Sequence, residues 1–135
     1  MKTKSALSYF GSDSECAPRL ARKLDHCKHV TIPFCGGMSI LPHLDARAIV
    51  ANDLHKHVYN FYRVVAGRCG HEEQQRLILE CQQTLSHPDE MRVARNIISE
   101  VEHNGFTLTG SFKRSSWAWA FGALCFIGRK VKGVT

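Results

Sequence analysis

The sequence predicts a helix-rich α/β fold built as one domain, and three observations carry that reading. Two short runs rich in β-branched residues, HVTIPF over 29–34 and IVAN over 49–52, read as buried strands, because such side chains suit a pleated, packed surface. Longer stretches on either side repeat apolar residues every three or four positions, the spacing that places them on one face of a helix. Between the two strand-like runs lies Cys35-Gly36-Gly37, a turn that ends the first strand and lets the chain change direction.

Residues 14–24 carry Ala17, Leu20, Ala21 and Leu24 at helical spacing, with Pro18 tolerated in a first turn, so the first element is a helix. The strand over 29–34 follows, then the glycine turn, then the strand over 49–52 with Asp53 at its tip. Asp53 is placed to cap a helix over 54–66, where Val58, Phe61, Tyr62 and Val65 recur at helical spacing and Gly67 or Gly70 supplies the stop. Residues 72–85, EEQQRLILECQQTL, are strong helix formers with two acids in the first turn, where the helix dipole favours them. Ser86 or His87 ahead of Pro88, Asp89 and Glu90 opens the next helix, whose Met91, Ala94, Ile97, Ile98 and Val101 form one stripe before Asn104-Gly105 closes it. The loose alternation FTLTGSF over 106–112 suits a short third strand or an extended loop. Ser115 or Ser116 is the expected cap of a last apolar helix over 117–127, stopped by Gly128 and followed by a basic tail over 129–132.

Eighteen Lys and Arg against twelve Asp and Glu leave a formal charge of +6, which favours an anionic partner such as nucleic acid. The excess is uneven: residues 68–112 hold four basic and seven acidic side chains, residues 113–135 five basic and none acidic. No apolar run approaches the ~18 residues of a membrane span. The N-terminal residues lack the ~7–15 apolar positions of a signal peptide, so a cytoplasmic location is expected. Six cysteines stand singly with no C-x-x-C, which predicts reduced thiols acting as small hydrophobes rather than a disulfide framework. His26, Cys27, His29 and Cys35 lack the paired spacing of a zinc site, so no metal is expected. The other histidines, His57 among them, read as surface or loop residues.

The informative feature is the glycine turn with the acid that follows it. Adjacent glycines let the backbone approach a ligand closely, since no Cβ intervenes. An acid at the tip of the next strand can accept hydrogen bonds from both hydroxyls of a ribose. Asp53 lies 17 positions after Gly36, close to the ~20 of a nucleotide-binding fingerprint. A dinucleotide site wants a third glycine to hold a pyrophosphate. Its absence disfavours a nicotinamide-dependent oxidoreductase and favours a nucleoside ligand without phosphates, of which S-adenosylmethionine is the commonest.

Three motifs stand in order over about residues 7–65: Tyr9-Phe10-Gly11-Ser12-Asp13-Ser14 before a helix, Pro33-Phe34-Cys35-Gly36-Gly37-Met38-Ser39 after a strand, and Asn52-Asp53 followed by Asn60-Phe61-Tyr62. Together they resemble the Dam-like, D12 class of DNA adenine N6-methyltransferases. The resemblance implies a partial Rossmann-like, S-adenosylmethionine-dependent methyltransferase fold with a helical insertion. Residues 1–67 would form the cofactor-binding part, and residues 68–135 the insertion or the start of a target-recognition region. By the same resemblance Tyr9, Phe10 and Gly11 would pack against the methionine and adenosine of S-adenosylmethionine, Phe34, Gly36 and Gly37 would form the turn, and Asp53 would hold the ribose. Ile32 stands where the family has Glu, and Asp13 where it has Lys, which lowers the expected cofactor affinity.

DNA is the implied partner, with Lys113, Arg114, Arg129, Lys130 and Lys132 as phosphate-contact candidates. The family's catalytic Asp-Pro-Pro-Tyr type motif holds a flipped adenine, yet the four prolines Pro18, Pro33, Pro42 and Pro88 include no adjacent pair. The chain is therefore expected to stop before the catalytic strand and to be inactive alone. Two confident strands cover little of such a sheet, so an exposed edge and self-association are expected. The alternative is a non-enzymatic, basic DNA-binding or regulatory remnant that uses no cofactor.

Overall fold

The computed structural model describes residues 15–108 and 113–132, with the side chains of the latter stretch described as far as Cys125. The chain divides between Leu54 and His55 into two compact units.

In the first unit, helix α1 spans Ala17–Lys23 with Pro18 in its opening turn and Arg22 and Lys23 in its last, where their charge complements the helix dipole. Its buried residues are Ala17 and Ala21. Strands β1 (His29–Ile32) and β2 (Ala48–Ala51) pair in parallel with His29 opposite Ala48 and Ile32 opposite Ala51. A parallel pair needs a crossover of a dozen or more residues, usually containing an α-helix. Here the crossover carries only a 3-10 turn at Leu41–His43, which packs against α1. The sheet is accordingly thin: Val30 is buried on one face, while its neighbours Thr31 and Val50 are exposed. The helix and both strands match the sequence expectation. Among the described residues the sheet has two strands, and residues 106–108 of the anticipated third strand are not strand; residues 109–112 lie outside the described ones.

The second unit is helical: α2 (Lys56–Val65), α3 (His71–Gln83), α4 (Pro88–His103) and α5 (Arg114–Lys132). Helix α5 packs against each of the other three. Its run of Trp117, Ala118, Trp119, Ala120, Phe121 and Ala123 is buried, as a helix apolar on several faces must be. Val58, Phe61 and Val64 of α2, Leu77 of α3, and Met91, Ala94 and Val101 of α4 complete the core. Gly122 lets α2 approach: a Cβ there would lie 3.1 Å from Cε2 of Phe61.

The helix ends show why these segments stop where they do. After α2, Gly67 takes φ +73°, its N–H bonds Val64 O at 3.0 Å, and that of Arg68 bonds Arg63 O at 2.9 Å. The same pair of bonds closes α4, from Gly105 to Glu102 O at 3.1 Å and from Phe106 to Val101 O at 2.9 Å; both are Schellman caps. His87 opens α4, its Nδ1 accepting from the Asp89 N–H at 3.1 Å.

Two expectations are corrected. The N-cap of α2 is His55 rather than Asp53, because Asp53 turns back to the glycine loop. Helix α5 begins at Arg114 and runs through Gly128 to Lys132, so the anticipated stop and basic tail are helix. A glycine costs a helix interior only about 1 kcal/mol, and the Arg129, Lys130 and Lys132 that follow suit a helix C-terminus.

Candidate functional site

The register of β1 and β2 brings the ends of the strands together. Beyond the last paired residues, Asn52 N–H donates to Ile32 O at 2.8 Å and Cys35 N–H to Asn52 O at 2.9 Å. The Asn52 side chain donates to Pro33 O at 3.3 Å. Asp53 Oδ2 then accepts from the Gly36 N–H at 3.0 Å. The acid at the tip of one strand is therefore tied to the glycine turn at the tip of the other. The turn is tight: Met38 N–H donates to Cys35 O at 2.7 Å, with Gly36 at φ +46° and Met38 at φ +54°. Left-handed φ is free for glycine and strained for methionine.

Around this contact Gly37 is buried, Gly36 and Asp53 are half-buried, and Phe34 is 83% exposed. Burial pushes the Cys35 thiol above its ordinary range, and the Asp53 charge adds to the effect. Cys35 thus packs as a protonated small hydrophobe, not a nucleophile. Of the residues anticipated for this site, Phe34, Gly36, Gly37 and Asp53 occupy one strand-end loop, while Tyr9, Phe10 and Gly11 lie outside the described residues. The sequence reading quoted Asn52 in its Asn52-Asp53 motif but gave it no role; its backbone and side chain both hold the turn.

The basic candidates are differently disposed. Lys113 is exposed ahead of α5. Arg114 donates from Nη1 to Asn60 Oδ1 at 3.2 Å, and its carbonyl accepts from Asn60 Nδ2 at 3.2 Å, so it also anchors the start of α5 to α2. Arg129, Lys130 and Lys132 occupy the last turns of α5, with side chains outside the described ones.

His57 departs from its reading as a surface histidine, being 5% exposed. Trp117 Nε1–H donates to His57 Nδ1 at 2.7 Å. An indole N–H only donates, so Nδ1 accepts and Nε2–H donates to Glu102 Oε1, 2.9 Å away. The imidazole pins α2, α4 and α5 together.

Among the described residues no helix is long and apolar enough to cross a membrane. A glycine turn and an acid meeting beyond the carboxyl ends of parallel strands is the arrangement by which α/β proteins meet ligands. The model of the D12 class N6 adenine-specific DNA methyltransferase family matches residues 9–128, which span the strands, the turn, Asp53 and most of the helical unit. The chain belongs to that family. No curated protein and no solved structure matches it.

Proposed function

We propose that the chain is a DNA adenine methyltransferase component that binds S-adenosylmethionine at the strand-end loop, with Asp53 holding the ribose. The observation that carries this reading is the hydrogen bond between Gly36 N–H and Asp53 Oδ2 at 3.0 Å. It fixes a carboxylate beside backbone that lacks a Cβ, the two features an adenosine group needs for close approach and for pairing of its hydroxyls. When bound, the cofactor supplies a methyl group on a positively charged sulfur. Gly36 and Gly37 give room for the ligand, Phe34 offers an exposed ring, and Asp53 accepts from the hydroxyls. Tyr9, Phe10 and Gly11 belong to the same site in this reading.

The DNA partner follows from the family, with exposed Lys113 a phosphate-contact candidate, Arg129, Lys130 and Lys132 candidates by sequence, and Arg114 shared with Asn60. The 135 residues contain no adjacent prolines, and hence no Asp-Pro-Pro-Tyr type segment to hold a flipped adenine. The chain alone is expected to bind cofactor without transferring methyl groups.

Calorimetric titration with S-adenosylmethionine tests the site. Asp53→Asn keeps an oxygen for the Gly36 N–H but removes the charge that strengthens pairing with the hydroxyls. It should weaken binding about tenfold, the equivalent of roughly 1.4 kcal/mol. Equal heats in wild type and variant, or none in either, would refute the assignment. Methyl transfer from labelled cofactor into DNA by this chain alone would refute the division of labour.

A further inference from the structure

One surface of the helical unit is not used by any of these roles. Helix α2 exposes Lys56 and Tyr59, with Arg63 half-buried beside them. At 3.6 residues per turn these three positions fall within one narrow arc of the helix. The Arg63 guanidinium lies over the Tyr59 ring, 5.6 Å from its centroid, and the Lys56 ammonium over the Phe106 ring at 4.8 Å. Both cations are thus held on aromatic faces rather than on carboxylates. Among the described residues neither forms an ion pair with an acid. From Leu54 to His71 the chain carries Lys56, Arg63 and Arg68 and no acidic residue. Arg114, bonded to the neighbouring Asn60, borders the same arc.

We infer that this Lys56–Tyr59–Arg63 face of α2 is a contact surface for the phosphate backbone of duplex DNA. The inference rests on the DNA-directed part of the proposed function, and it places that contact on residues outside the basic segments of α5. Charge complementarity is the first argument: a cationic stretch of α2 with no acid of its own attracts a polyanion and releases its counterions, the neighbouring Glu102 on α4 being engaged by His57. Preorganisation is the second, since cations resting on rings lose less side-chain freedom on binding than free ones. Spacing is the third. Seven residues of helix separate Lys56 from Arg63 by about 10 Å along the axis, against one phosphate per about 3.4 Å of duplex axis on each strand, so both can meet phosphates of one strand. An anionic membrane fits less well, because the apolar side of α2 (Val58, Phe61, Val64) is buried in the core and unavailable to lipid.

The test is duplex binding by fluorescence anisotropy across salt concentrations, comparing wild type with Lys56→Gln/Arg63→Gln. Each lost phosphate contact should flatten the log–log salt dependence by about 0.9, so the double variant is expected to lose about 1.8 and to bind about tenfold more weakly at low salt. Lys56→Arg/Arg63→Lys should restore both quantities, which a merely structural role would not predict. Circular dichroism and the S-adenosylmethionine titration should be the same for all three proteins. An unchanged salt slope, no duplex binding by wild type, a loss that the swapped cations fail to restore, or binding to anionic vesicles in place of DNA would each overturn the inference. A salt slope that falls while no cofactor binds would support it and refute the cofactor site instead.

Discussion

His57 and Glu73 show how much of this molecule is decided by single side chains whose partners are distant in sequence, and Glu80 how much by one whose Oε2 is buried without a hydrogen-bond partner among the described residues. Trp117→Phe would leave His57 Nδ1 buried without its donor, which costs about 1–3 kcal/mol; thermal unfolding should move down by several degrees. Glu73 Oε2 accepts from the Ser115 N–H at 2.7 Å, at the N-terminus of α5. Burial pushes its pKa up, but hydrogen bonds from Ser115 and the charges of Arg76 and Lys113 outweigh this and leave it below its ordinary value. A depressed carboxylate contributes stability that is full above its unfolded pKa and is lost as pH falls through the folded one. The α5 anchor should therefore weaken as pH falls through and below the ordinary carboxylate range, and Glu73→Gln should remove about 0.3–1 kcal/mol at neutral pH. Glu80 behaves oppositely. Burial raises its pKa, with Glu73 adding to the rise and Arg76 opposing it, and its Oε2 is buried with no hydrogen-bond partner among the described residues. The ionised form is the disfavoured one, so stability is lost as pH rises through the carboxylate range. Glu80→Gln should raise the melting temperature at pH 7 and leave it unchanged at pH 3; a lower value at pH 7 would contradict this account. None of the three roles was legible in the sequence. His57 meets partners 45 and 60 positions away, and no local pattern distinguishes such a histidine from an exposed one.

Among the elements, α5 sets the terms for the helical unit. Gly122→Ala offers a helix propensity gain of about 1 kcal/mol but brings a Cβ to 3.1 Å from Phe61. Phe61 is buried and packs edge-on to Tyr62, with ring centroids 5.4 Å apart. It has little room to retreat, and overpacking costs about 1–3 kcal/mol, so the variant should be less stable. Adding Phe61→Leu should recover part of the loss, giving a non-additive pair in denaturant titrations. Additive effects would show that the two helices do not meet as closely as described. Helix positions and the ends at Gly67, His87 and Gly105 were legible, because amphipathic spacing, Pro88 and the two glycines act locally. The start of α5 was not, since part of its N-terminal capping comes from Glu73 on another helix. Gly128 misled for a related reason: the residues after it favour helix enough to carry the chain past one weak position. The strand-end loop was legible because its chemistry is written in adjacent residues, Gly36-Gly37 and Asn52-Asp53.

At the scale of the whole molecule, the division between Leu54 and His55 separates two units with very different cores. Residues 15–54 bury Ala17, Ala21, Val30 and Cys35, all small or medium, whereas the helical unit buries two tryptophans and two phenylalanines among its core residues. Apolar area removed from water stabilises by roughly 25 cal/mol per Å², so the helical unit should be the more stable. Hydrogen exchange of the intact chain should show the greatest protection in α5 and α2 and the least in β1 and β2. S-adenosylmethionine, if bound as proposed, should raise protection over residues 33–39 and 52–53 and leave α5 unchanged. Equal protection of the two units would remove the thin-sheet argument. The charge balance and the order of the elements were legible at this scale. The division was not, because the chain passes from Asp53 into α2 without a glycine- or proline-rich linker.

The bond from Gly36 to Asp53 has a kinetic corollary. The carboxylate is oriented by folding itself, so a ligand bound as proposed would need no search among rotamers before the first encounter is productive. Stopped-flow traces for a ligand at this loop should be single exponentials whose rate rises linearly with concentration. A rate that instead levels off at high concentration would reveal a ceiling set by the reorientation of Asp53.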